Sequence, residues 1–139
     1  MAALESLSYL MGIDTHTLRH KEKILFEAEL FTHICEELKE EFRKKHKDYF
    51  YSIKFANEKE NLMLEARLVQ DVIQDILSTD EYNLKGIAYY TDSFEEVVEE
   101  FATGINTNPS AIFLRKLILL HLSVRRELYN YIKKKLQLG

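Results

Sequence analysis

Apolar side chains recur along most of this chain at spacings of three and four, the mark of helices packed along one face. Between Thr15 and His46 the seam is Ile24, Ala28, Phe31, Cys35, Leu38 and Phe42, widened by Leu25, Leu30 and Ile34. A helix over 57–78 carries Leu62, Ala66, Val69, Ile73 and Ile76, with Leu64, Leu68 and Val72 beside them. Phe94, Val97, Val98 and Phe101 line a shorter helix over 92–103. The buried side of a last helix, over 109–136, is Leu114, Leu117, Ile118, Leu122, Leu128, Tyr129 and Ile132. Punctuation agrees with the periodicity. Asn57 with Glu60, and Ser93 with Glu96, read as capping boxes; Asn108-Pro109 reads as an N-cap followed by proline at the first helical position; Gly104 closes the helix before it.

Two segments change period. Tyr49, Tyr51, Ile53 and Phe55 alternate with Phe50, Ser52 and Lys54, so a short strand fits 49–55, as does a continued helix. The stretch 84–90, Leu-Lys-Gly-Ile-Ala-Tyr-Tyr, is apolar and β-prone. Were both strands, the helix between them would supply a parallel crossover. The expected fold is mainly α: one helical-bundle domain over 1–139 of about five helices, with at most a minor two-strand element at 49–55 and 84–90. Its expected core includes Phe31, Leu38, Leu68, Val72, Phe101, Ile118 and Leu122.

Composition narrows the class. One Pro and four Gly in 139 residues disfavour a turn-rich β-sandwich. With 46% hydrophobic and 30% charged residues the chain is neither disordered nor membrane-like, and its longest apolar run, Leu117–Leu120, is too short to span a bilayer. No leader pattern precedes the first helix, and the single Cys35 has no partner for an internal disulfide; the expected compartment is the cytoplasm. Net charge is −4, distributed unevenly. Seven acids stand between Asp80 and Glu100 against Lys85, and seven Lys or Arg between Arg115 and Lys135 against Glu127. The first explanation is helix-dipole complementarity, acids in first turns and lysines in last ones. The second is a pair of faces that recruit a partner or a second subunit.

The N-terminal region carries the one local pattern with a named role. A short apolar helix over 2–11 stops at Gly12, and a second is expected to start at Asp14 or Thr15. Leu7, Met11, Ile13 and Leu18 would be buried, leaving Thr15, His16, Thr17, Arg19 and His20 exposed where base or phosphate contacts originate. Over about twenty residues this arm, 1–23, resembles the helix-turn-helix regulators, which implies DNA binding as an alternative function. His16 and His20 also form an i, i+4 pair with metal-ligand spacing, but no further Cys or His cluster joins them, and no metal or other cofactor is expected.

Arg115 and His121 have the Arg-x(4–6)-His spacing that resembles the HEPN ribonucleases; the resemblance implies phosphate binding by the Arg and acid–base work by the His across a dimer. A lone His among leucines is otherwise a satisfied core residue. The order strand, helix, strand, loop, Asn-Pro and then Ile112–Lys116 opening a helix resembles the C-terminal half of a small acidic adaptor subunit of Dot/Icm type IV secretion systems. No nucleophile–base–orienter set emerges, so the chain is expected not to be an enzyme. The expectation is an adaptor or regulatory protein that binds a protein partner or itself, with no membrane and no catalytic residues.

Overall fold

The computed structural model describes the backbone of residues 7–45 and 57–137, and the side chains of 7–44 and 67–136. Seven helices stand among the described residues, in the order α1 Leu7–Leu10, α2 His20–Lys45, α3 Asn57–Ser78, α4 Leu84–Thr91, α5 Glu95–Ala102, α6 Ala111–Val124 and α7 Arg126–Gln137. No strand occurs among them. The mainly helical class read from the periodicity is therefore what the chain adopts. By contacts the chain divides into two compact units, Met1–Glu37 with Arg126–Gly139, and Leu38–Arg125. No described helix is long and apolar enough to cross a membrane.

In the second unit, α3 packs against α5 and α6, and α4 packs against the same two helices. The core is Leu68, Val69, Val72, Ile73 and Ile76 of α3, Ile87 of α4, Val98 and Phe101 of α5, and the run Leu117–Leu122 of α6, joined by Leu38 and Phe42. The Phe101 and Phe113 rings lie 4.7 Å apart at a 33° tilt. Gln74 of α3 donates through Nε2 to the carbonyl of Ala102 at 2.8 Å, so an amide side chain caps the last turn of α5.

In the first unit, Leu7, Met11, Leu30, Ile34, Tyr129 and Ile132 are buried together. Glu27 of α2 accepts the Ser8 N–H at 3.0 Å, satisfying one orphan donor of the short helix α1. Arg126 donates to the carbonyl of Leu10 at 2.9 Å. Gly12, at φ +71, turns the chain after Met11 in the left-handed region that a side chain resists. A Cβ there would meet only Lys133 Nζ at 3.5 Å, an ordinary contact, so the cost of Gly12→Ala is conformational. Destabilisation of about 1–2 kcal/mol in chemical denaturation is expected.

Several sequence expectations need correction. Residues 84–90 are helical, because the Asn83 side chain caps the Gly86 N–H at 2.8 Å and Asp92 closes the helix in the left-handed conformation. The segment 49–55 lies outside the described residues, as do residues 2–6 of the first expected helix and the side chains of the Asn57–Glu60 box. Loss of the strand at 84–90 removes the element order on which the secretion-adaptor resemblance stood. The Ser93 box does not form: the hydroxyl of Ser93 donates to the Thr91 carbonyl, and Phe94 takes the N-cap position of α5. At α6 the N-cap is Ser110, whose Oγ accepts from Phe113 N, two residues beyond the expected Asn108. The last helix is two helices, interrupted at Arg125 without Gly or Pro. Phe31 is only half-buried and Ile24 and Leu25 are 56% and 65% exposed; the buried stripe of α2 runs instead through Leu30, Ile34, Leu38 and Phe42, at every fourth residue.

Candidate functional site

The N-terminal motif takes a different geometry from the one expected. Nine residues, 11–19, separate α1 from α2, too many for the three- or four-residue turn of a helix-turn-helix. The Asp14 carboxylate accepts the His16 N–H at 3.0 Å and lies 2.6 Å from His16 Nδ1, an Asx turn that holds the segment out of helix. Those two bonds, the backbone one first, hold the Asp14 carboxyl below its usual range. Leu18 N–H closes a further turn on Thr15 O. The helix begins only where Glu22 reaches back to accept the Arg19 N–H at 2.9 Å, the reciprocal half of a capping box. Thr15, His16 and Thr17 therefore precede α2, Arg19 caps it, and His20 is its first residue. His16 and His20 do not share a helix face.

Arg115 and His121 both lie on α6, six residues and roughly 120° apart around its axis. His121 is fully buried in the second unit, with Phe42 6.4 Å away ring to ring. Its Nε2 is 2.7 Å from Asp75 Oδ2. A carboxylate only accepts, so the ring nitrogen carries the proton in this bond. Arg125 holds the same carboxylate through two bonds, Nε to Oδ2 at 3.0 Å and Nη2 to Oδ1 at 3.1 Å, and donates from Nη2 to Ser78 Oγ at 3.0 Å. Ser78 Oγ in turn donates to the Asp75 carbonyl at 2.6 Å. A buried His, a nearly buried Asp and a guanidinium thus tie the C-terminal turns of α3 and α6 together. The ribonuclease pattern requires His121 at a surface shared by two subunits. Here burial and Asp75 give that ring a structural task.

Neither Asp75 nor Arg125 stood out in the sequence. The signal was present in part: Asp71 and Asp75 are the two acids among Val69, Val72, Ile73 and Ile76, and His121 is a lone ring within Leu117–Leu122. Polar groups on buried helices need partners, but spacing alone does not say which of the two acids meets His121.

The first unit contains a groove of about 500 Å³. Phe26, Glu29, Leu30 and His33 line one wall, at i, i+3, i+4 and i+7 along a single face of α2. Lys133, Lys135 and Leu136 of α7 line the groove as well, as does Ile13. Its lining is apolar at Ile13, Phe26, Leu30 and Leu136, and carries two lysines and one glutamate, with His33. Lys135 reaches Glu37 Oε2 at 3.0 Å and lies 5.2 Å from the Tyr131 ring centre; Lys133 reaches the Gly12 carbonyl at 3.4 Å. Among the described residues no His, Cys, Asp and Glu group could hold a metal ion. Compared with known proteins, the chain matches no family model, no curated protein and no solved structure.

Proposed function

We propose that this chain is a cytoplasmic adaptor or regulatory protein that acts by docking a protein partner and performs no catalysis. One observation carries the reading. Tyr89, Phe94, Ile105 and Ile112 of the second unit are 91%, 77%, 79% and 66% exposed, although their backbone is tightly fixed. Tyr89 sits inside a helix capped at both ends, and Ile112 in the first turn of α6, behind its Ser110 cap. Ile105 follows Gly104, which turns at φ +80, and the next residue, Asn106, donates its N–H to the Glu100 carbonyl. Large apolar and aromatic groups displayed on a rigid frame are the anchors of protein interfaces. The polar constellation around Asp75 is by contrast engaged internally, which leaves it no reacting partner.

The test is site-specific photo-crosslinking in the cell of origin. A photoreactive residue replacing Ile112 or Tyr89 is expected to give discrete adducts with another protein, and the same residue at exposed, polar Thr107 to give none. No adduct at Ile112 or Tyr89, or the same labelling at all three positions, overturns the reading.

A further inference from the structure

We propose that the groove of the first unit receives Phe94, with its acidic neighbours, from a second copy of this chain. The inference rests on reading the exposed apolar side chains as interface. It starts from a residue in an unfavourable place. Phe94 occupies the N-cap of α5, where Ser, Thr, Asp or Asn would bond a free helix N–H, and its side chain makes no capping bond. Its ring is 77% exposed. The backbone beneath it is nevertheless anchored twice, since the Phe94 carbonyl accepts from Val97 N at 3.1 Å and Val98 N at 3.2 Å. An aromatic ring with only two side-chain torsions, on a backbone already ordered, loses little freedom when it docks. Glu95 and Glu96 favour the N-terminal dipole of α5, but no side chain replaces the missing capping bond, and an exposed aromatic ring at a position that favours a small polar residue marks a working surface.

Charge selects the receiving site. Asp92, Glu95 and Glu96 flank Phe94 and are exposed. These acids repel one another, and the first turn of α5 adds no base to offset them. The groove offers the complement: its lining includes apolar Phe26, Leu30 and Leu136, and two bases, Lys133 and Lys135, against one acid, Glu29. At about 500 Å³ it exceeds one phenyl ring, leaving room for part of the flanking chain. A ring seated against those apolar side chains would bring the Glu95 and Glu96 carboxylates toward the ammonium of Lys133, a charge-assisted contact in partly excluded water. Because one chain carries both the projecting residue and the groove, the contact is heterologous: each copy uses a different surface.

Sedimentation of the full chain tests this. Reversible self-association is expected at about 0.1 mM in low salt, weakened at least about tenfold when salt rises from about 0.05 to 0.5 M. Phe94→Ala and Lys133→Glu, both at solvent-accessible positions, should each reduce association at least about tenfold with an unchanged far-UV spectrum, while Ile112→Ala leaves it as in the wild type. Mixing supplies the sharper readout. Phe94→Ala retains the groove and Lys133→Glu retains the ring, so the two, each weakly associating alone, should form a mixed complex. A wild-type chain monomeric at that concentration overturns the proposal, as does Phe94→Ala associating like the wild type or a mixture that stays monomeric. A purely monomeric result would leave the crosslinks expected at Ile112 untouched, so this proposal can fail without the adaptor reading failing.

Discussion

Asp75→Ala is expected to lower the unfolding free energy by about 3 kcal/mol in urea denaturation, out of proportion to the small volume removed. Asp75 is the shared acceptor of two donors that respond differently to its loss. Arg125 has a side chain 38% exposed and can turn to water, retaining its bond to Ser78. His121 is 0% exposed and has no such escape, so most of the cost is its stranded N–H in the core. The order of effects follows. Arg125→Ala should cost about 1 kcal/mol, because Asp75 still receives His121 and its freed oxygen is solvated. Asp75→Asn, which keeps one carbonyl acceptor, should fall between the two. If Arg125→Ala proved the more damaging, the network would be a surface clamp, and the burial of His121 would not be its controlling feature. In any search for RNA cleavage, His121→Ala removes a core contact, so lost activity in that variant alone would report on folding.

The parts of the fold legible in the sequence were those where one helix buries one face. Leu68 and Val72 of α3, and Phe101 of α5, were read as core from spacing alone and are core. The misreadings share a physical origin. The segment 84–90 has only seven residues, too few for its period to separate helix from strand; its caps at Asn83 and Asp92 decided the matter. A start for α2 at Asp14 or Thr15 is five or six residues early; the carboxylates of Asp14 and Glu22 fix the turn and the true start at His20. The interruption at Arg125 has no local cause: its backbone leaves helical geometry at φ −127, ψ 52 where its side chain turns to Asp75, fifty residues away in sequence. The groove was foreshadowed only by the widened seam of the first long helix, at Leu25, Leu30 and Ile34. Which of those residues would line it depended on the shift of the buried stripe to Leu30 and Ile34, which turns Phe26, Glu29 and His33 toward α7.

The second large effect is expected at Leu120, a residue the one-sided helix pattern left out. Six consecutive residues of α6, Leu117–Leu122, are buried. At about 100° per residue such a run goes more than once around the axis, so this stretch of α6 is enclosed on every side. Its neighbours are themselves tied: α3 and α4 both pack on it, and the Asp75 network fixes the end of α3 against its last turn. A cavity opened there has little freedom to collapse, which places Leu120→Ala, at 0% exposure, toward the upper part of the usual 2–5 kcal/mol, at about 4 kcal/mol. Ile118→Val, removing one methylene from the same helix, should cost about 1 kcal/mol. Ile112→Ala, on the exposed first turn, should stay within about 0.5 kcal/mol. Urea midpoints at constant m-value measure all three. Equal costs at Leu120 and Ile112 would mean that α6 is not enclosed, and the packing of the second unit described above would have to be redrawn.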